Sequence, residues 1–213
     1  MKALRYTLLS DGSSDRALIP HLTWLLRSNG VNSQIDAEWA ELRLLREIPQ
    51  SLVGKIAKSI DLYPCDLLFI HRDAERATPE DRKQEVLNAL KELIRDVGKP
   101  FAICVIPVRM QEAWLLFDEA AIRRASGNPN GRVRIELPKL KAIESLPDPK
   151  NTLHGLLKTA SERTGRRLKD FNVRHSAGQV SQFIEDFSLL RRLSAFQTLE
   201  KDIREVIACN NLK

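Results

Sequence analysis

The chain has 213 residues, of which 43% are hydrophobic and 29% are charged, a balance typical of a globular protein that buries a sizeable core. It has no unbroken apolar run of about 18 residues, as a membrane span requires, and no signal-peptide pattern in residues 1–10. Its three cysteines, Cys65, Cys104 and Cys209, are widely spaced, which argues against a disulfide framework or a cysteine-based zinc site and predicts reduced thiols in a cytoplasmic protein.

Strand-like and helix-like hydrophobic patterns alternate between residues 4 and 125. Nearly continuous apolar strands separated by helices predict an α/β fold, with a mostly parallel sheet of about four strands, helices on both faces and right-handed crossovers. A helix that begins at Thr78, with Pro79 in its first turn, is predicted to continue to about Val97 and to end at Gly98. The predicted strands cover residues 4–9, 34–39, 65–70 and 100–108, and the other predicted helices cover residues 15–29, 51–61 and 111–125.

The pattern changes after residue 131, where helical periodicity replaces the strands. A short proline-bounded helix is predicted within residues 136–150, and longer helices are predicted at 151–164 and at 176–208, the last with a break near 187–193. The sequence therefore predicts an α/β core at residues 1–128 and a helical, basic region at residues 129–213 that packs on this core.

The net charge of +6 is unevenly distributed along the chain. Residues 1–122 contain 16 basic and 18 acidic residues, whereas residues 123–213 contain 18 basic and 10 acidic residues. This asymmetry fits a protein that holds a cation in its first part and phosphate groups with its second part. A solvated helical surface would explain the same asymmetry.

Acidic residues follow three of the four predicted strands. Asp11 follows the first strand, Asp73 and Glu75 follow the third, and Glu112 follows the fourth. Because ligands of open parallel sheets bind outside the carboxyl ends of the strands, we expect these side chains to converge at one edge. Each of these acids, taken alone, could also form a turn or cap a helix. The prediction of a site therefore depends on their convergence.

Converging carboxylates need a proton or a cation to offset their repulsion, and oxygen ligands suit Mg²⁺ or Mn²⁺. Asp73 and Glu75 are two residues apart, so in an extended backbone their side chains would point the same way. The sequence therefore predicts a metal site formed by Asp73 and Glu75, with Asp11 as a third ligand or as a group that moves a proton.

Three segments carry a resemblance to the Toprim family of topoisomerases, primases and small nucleases: DGSSDRALIPHL, HRDAE and PVRMQEAWLLFDEAAIRRASGNP. They are similar, more narrowly, to a bacterial family of small Toprim-like proteins distantly related to overcoming-lysogenization-defect nucleases. Asp11-Gly12 resembles the family's acidic residue followed by glycine, and Asp73-Ala74-Glu75 resembles its D-x-D pair. The resemblance implies a compact Toprim-like domain whose acidic residues hold Mg²⁺ for phosphoryl transfer.

Two departures from the family pattern bear on activity. The first acidic position is usually Glu and is Asp11 here, and the pair ends in Glu75 where the family usually has Asp. The first hypothesis is a Mg²⁺-dependent, nuclease-like protein, with a role in defence against phage or mobile DNA implied by the resemblance. The second is an inactive module that binds nucleic acid or nucleotide. The chain has no G-x-x-x-x-G-K-[ST] loop, so any ATP-driven step would need a partner ATPase.

The remaining candidate residues are assigned by chemistry and position. His71 adjoins the acidic pair and is a candidate general acid or hydrogen-bond donor, and Glu112 is a candidate at the mouth of the site. The structural alternatives are a strand-end hydrogen bond for His71 and a surface pair with Arg109 for Glu112. The candidates for binding phosphate or nucleic acid are Arg72 and Arg109 near the acids, and Lys150, Arg166, Arg167, Arg174 and His175 in the basic region.

Overall fold

The computed structural model describes residues 3–93 and 99–210, and within them the chain forms a parallel α/β sheet flanked by helices, as the sequence predicts. The strands lie in the order β2-β1-β3-β4, and all neighbouring pairs are parallel. Their bounds are Leu4–Leu9 for β1, Ile35–Trp39 for β2, Leu67–His71 for β3 and Phe101–Val105 for β4.

The strand register places the carboxyl ends of the two central strands side by side. Leu9 at the end of β1 pairs with Ile70 of β3, and His71 at the end of β3 pairs with Val105 of β4. All five residues of β3 are buried because strands flank it on both sides and helices cover both faces. The segments that follow β1 and β3 therefore emerge next to each other.

Eight α-helices surround the sheet within the described ranges. Helix α3 begins where the sequence predicts, because Oγ1 of Thr78 accepts a hydrogen bond of 3.1 Å from the backbone N–H of Asp81. Its predicted end at Val97 and Gly98 lies outside the described residues. The helices are α1 Ile19–Ser28, α2 Leu52–Leu62, α3 Pro79–Glu92, α4 Glu119–Ala125, α5 Pro149–Ala160, α6 Gly165–Lys169, α7 Val173–Gln179 and α8 Ser194–Asn210.

Two predicted helices are wrong in their continuity. The helix predicted at 111–125 is a 3₁₀ helix, Gln111–Leu115, followed by α4, because Asp118 caps α4 by accepting a 2.9 Å hydrogen bond from the N–H of Ala121. The helix predicted at 176–208 is α7 and α8 separated by two 3₁₀ segments, so the interruption is longer than expected. The start of the first predicted helix is likewise a 3₁₀ helix, Ser13–Leu18, which leads into α1.

Successive side chains of the central strands enter two different hydrophobic clusters. Leu68 packs in a cluster with residues of α2 and α3, whereas Phe69 packs in a larger cluster on the opposite face. The larger cluster extends from Leu4 to Ile207, and the ring of Phe196 in α8 lies 5.2 Å from that of Trp114. The helical region beyond residue 129 thus packs on the α/β core and contributes to the same hydrophobic cluster. None of the helices in the described ranges has the length and apolar character needed to cross a membrane.

Candidate functional site

A cleft of about 220 Å³ lies at the carboxyl ends of β1 and β3. The strand register brings together here five residues that the sequence singles out: Asp11, His71, Arg72, Asp73 and Glu75. The rest of the lining comes from the 3₁₀ helix after β1 and from α3, and consists of Gly12, Ser14, Asp15 and Arg82.

Two basic side chains hold the carboxylate of Asp11. The Nζ of Lys55, which α2 supplies, lies 2.6 Å from Oδ1, and the Nε of Arg72 lies 3.3 Å from Oδ2. Arg72 also contacts Glu85 of α3, with 3.2 Å between Nη1 and Oε1. The charge of Asp11 is therefore offset by cations from two different elements.

His71 is buried between two carboxylates. Its Nδ1 donates a 3.0 Å hydrogen bond to the carbonyl of Val105, so Nε2 is the atom that faces Asp73 Oδ1 at 3.4 Å and Asp15 Oδ2 at 3.8 Å. Burial lowers the pKa of His71, but its hydrogen bond to Asp73, the charges of Asp73 and Asp15 and the bond to Val105 outweigh burial and raise the pKa above its usual value.

Asp15 is a site residue that the sequence reasoning missed. It is buried in the first turn of the 3₁₀ helix, where Oδ2 accepts a 2.9 Å hydrogen bond from the N–H of Gly12 and Oδ1 accepts one of 3.1 Å from Ser14. A Cβ at position 12 would lie only 3.2 Å from Oδ2 of Asp15, which accounts for glycine there. The signal was the spacing D-G-S-S-D, in which the second Asp looks like an ordinary helix-start residue.

Asp73 and Glu75 do not point the same way, because the backbone at Glu75 is not extended. Glu75 has a φ of 53°, in the left-handed region, and its side chain is 60% exposed, with Oε2 4.0 Å from Nη2 of Arg82. Oδ1 of Asp73 accepts a 3.0 Å hydrogen bond from the N–H of Gln111. The turn that separates the two acids is held by the N–H of Glu75, which donates to the carbonyl of Arg109 at 3.0 Å.

Glu112 is buried beside the cleft rather than in its lining. Burial raises the pKa of its carboxyl group, and the charges of Asp73 and Asp15 add to this effect, whereas the Nζ of Lys150, 3.6 Å away, opposes it. Glu112 and Lys150 thus connect the acidic cleft to α5. For Glu112, which the sequence leaves open between a site role and an Arg–Glu surface pair, the structure gives Lys150 as the basic partner.

The basic residues proposed to contact nucleic acid lie on exposed helical surfaces. Arg166 and Arg167 are on α6, where Arg166 lies 3.9 Å from Asp170. Arg174 and His175 are on α7, which packs against the 3₁₀ helix that carries Asp15. Within this set, Lys150 and the α7 residues are therefore on elements that adjoin the cleft.

The fit of the cleft to a divalent cation can be judged from its donors and its charge. The donors are oxygens, which suit Mg²⁺ or Mn²⁺. The lining has four carboxylates but only two guanidinium groups, with His71 beside them. Over residues 3–93 and 99–210, however, no three Asp, Glu, His or Cys side chains are grouped so as to share an ion. The donor atoms thus suit Mg²⁺, but their arrangement among the described residues does not bring three ligands together, and an ion at Asp11 would have to replace the contacts of Lys55 and Arg72.

Comparison with known proteins adds no relative: no family model, no curated protein and no solved structure matches the chain. The inference about function rests on the geometry of the cleft and on the motif resemblance.

Proposed function

We propose that the protein is a Toprim-like, Mg²⁺-dependent protein that processes phosphodiesters, in the manner of a nuclease, and that the cleft is its active site. The observation that carries this proposal is the gathering of the carboxylates of Asp11, Asp15, Asp73 and Glu75 in one cleft with His71 at the carboxyl ends of β1 and β3. This is the edge at which open parallel sheets bind their ligands.

The charge of the cleft supports a requirement for a cation. A phosphodiester is anionic and would be repelled by the excess of carboxylates over basic groups in the lining. A divalent ion at Asp73 would reverse this balance and would supply Lewis-acid polarisation of a phosphoryl oxygen, and Asp11 and Glu75 would have to turn toward Asp73 to share it. Asp15 also faces the cleft and is a further candidate ligand.

The side chains around the acids have distinct roles in this proposal. The Nε2–H of His71 holds Oδ1 of Asp73 in place, while the N–H of Gln111 fixes the same oxygen from the other side. Arg82 lines the cleft, and its Nε–H is buried without a hydrogen-bond partner among the described residues. That donor and the guanidinium of Arg72 would bind phosphate oxygens. Glu112, a carboxyl whose pKa burial raises, would exchange a proton close to the cleft.

The test is cleavage of labelled DNA and RNA by the purified protein with Mg²⁺, with Mn²⁺ and with a chelator. We expect metal-dependent cleavage that Asp73→Ala reduces by more than about 100-fold, because even indirect partners of a metal ligand are worth about 10- to 100-fold. The matched control is Glu80→Gln, an exposed acid in the first turn of α3. Cleavage that survives the chelator or Asp73→Ala would contradict the proposal.

A second candidate function is an inactive module that binds nucleic acid or nucleotide, working with a partner such as an ATPase. The observation that favours it is the pairing of Asp11 with Lys55 and Arg72, which offsets the charge of Asp11 without a metal ion. In that case binding would be independent of Mg²⁺ and unaffected by Asp73→Ala, and no cleavage would occur. Co-purification of an ATPase with the tagged protein would test the partner.

The cytoplasmic location and the role in defence against phage or mobile DNA belong to the same proposal. The first is supported by the reduced-thiol pattern of Cys65, Cys104 and Cys209, and the second by the motif resemblance alone. Phage plating on cells that carry the wild-type gene or Asp73→Ala tests the defence role, and we expect protection only from the wild type.

A further inference from the structure

A basic stripe runs along one face of α5. Lys150, His154 and Lys158 are spaced four residues apart, which places them on one side of the helix over a length of about 12 Å. Lys150 and Lys158 are exposed and His154 is partly exposed. The sequence reasoning had singled out only Lys150 of these three.

Arg174 of α7 extends the stripe sideways. Helix α7 packs against α5, and Arg174 is exposed. Partial burial lowers the pKa of His154, and the charges of Lys150, Lys158 and Arg174 lower it further, against the opposing effect of Asp148. Each of the three cations is thus close enough to His154 to act on it.

Glu112 pairs with Lys150, and the other acidic side chains around the stripe are engaged elsewhere. Oδ1 of Asp148 caps α5 by accepting a 2.8 Å hydrogen bond from the N–H of Asn151. Residues 149–179 contain seven Lys and Arg but only two acids. One of these acids, Glu162, accepts hydrogen bonds from the N–H groups of Arg132 and Val133, and the other, Asp170, is next to Arg166. The stripe therefore keeps an excess of positive charge.

The stripe begins at the edge of the cleft. The Nζ of Lys150 is 3.6 Å from the carboxylate of Glu112, and α5 packs against the 3₁₀ helix that carries Glu112. Helix α7 in turn packs against the 3₁₀ helix that carries Asp15. Helix α7 thus packs on an element that lines the cleft and α5 on one that lies beside it, so a chain of phosphates held in the cleft could continue onto them.

We propose that Lys150, His154, Lys158 and Arg174 bind the sugar–phosphate backbone of a nucleic acid that extends out of the cleft. The inference rests on the proposed function, because the cleft defines where the strand enters. The length of about 12 Å corresponds to about three phosphates along one strand of a duplex. An anionic membrane is the less suitable partner, because the large hydrophobic side chains that the structure exposes all lie outside residues 149–179.

The experiment measures binding without turnover. Fluorescence anisotropy of a short labelled duplex, and of its single strand, is recorded with Ca²⁺ in place of Mg²⁺ for the wild type, for Lys158→Glu/Arg174→Glu and for the control Lys91→Glu/Lys201→Glu. Both double variants change the net charge equally, and the control substitutions lie on the exposed surfaces of α3 and α8. A sedimentation assay with anionic lipid vesicles is run in parallel.

We expect the stripe variant to weaken binding by at least about 10-fold and to reduce the slope of log K against log[salt] by about 0.9 for each phosphate that the variant no longer neutralises. The affinity of the control should remain within about 2-fold of that of the wild type, since charges far from the bound strand are largely screened at about 0.15 M salt. Equal weakening by both variants, or binding to vesicles but not to nucleic acid, would overturn the inference. If the protein binds nucleic acid through the stripe but does not cleave it, the proposed catalysis is rejected and the inference about the stripe stands.

Discussion

Replacement of Lys55 by Met should tighten the binding of Mg²⁺ in the cleft. The Nζ of Lys55 lies 2.6 Å from Oδ1 of Asp11, and the two side chains are 26% and 48% exposed. Exposed ion pairs of this kind contribute about 0.2–1 kcal/mol. An ion that takes Asp11 as a ligand must first break this pair. Removal of the ammonium group should therefore lower the dissociation constant for Mg²⁺ by a factor of about 1.4 to 5.

Isothermal titration with Mg²⁺ and Mn²⁺ measures the effect, and Lys58→Met, a change one turn further along α2, is the matched control. The control should leave the affinity unchanged, since the ion pair between Lys55 and Asp11 stays intact in that variant. Equal affinities of the wild type and Lys55→Met would refute the view that Lys55 competes with the ion at Asp11. Absence of binding to the wild type and to both variants would refute the metal site itself.

Three further predictions concern stability and are tested by urea unfolding. The pKa of His71 is raised in the folded protein, so its stabilising contribution to the free energy of unfolding is complete below pH 6.5, the pKa in the unfolded chain, and is lost as the pH rises through the pKa in the folded protein. His71→Gln should therefore remove this loss of stability with rising pH, and a loss that persists in the variant would exclude His71 as its source. Glu200→Ala should cost about 2 kcal/mol, because the buried carboxylate accepts a 2.7 Å hydrogen bond from Arg191, whereas exposed Glu205→Ala should cost under about 0.5 kcal/mol; equal costs would contradict this. Thr78→Ala should cost about 1 kcal/mol through loss of the α3 cap, and no change would show that the cap contributes nothing.

The strands were predictable because burial on both sides leaves a strong signal in a parallel sheet. The run Leu67–His71 is apolar up to its last residue, and adjacent residues such as Leu68 and Phe69 fill different clusters. Helix α3 was predictable at its start because Thr78 and Pro79 form a local capping pattern. The interruption at Asp118 was not predictable, because a capping residue inside a continuous hydrophobic pattern leaves the helical periodicity unchanged.

The candidate site was predictable only in its location. Strand order alone brings Asp11 and Asp73 to one cleft. The orientation of Glu75 depends on a left-handed turn at a residue type that rarely adopts one, and no sequence pattern indicated it. The contact of Lys55 with Asp11 joins residues 44 positions apart, so it follows from how α2 packs rather than from any local signal.

The packing of Phe196 against Trp114 has a consequence for the order of folding. The cluster on that face of the sheet takes residues from β1 at one extreme and from Ser194–Asn210 at the other. During synthesis the apolar side chains of the early strands stay partly exposed until this late segment leaves the ribosome. Such long-range closure is slow, and we expect the nascent chain to depend on chaperones for longer than its size alone would suggest.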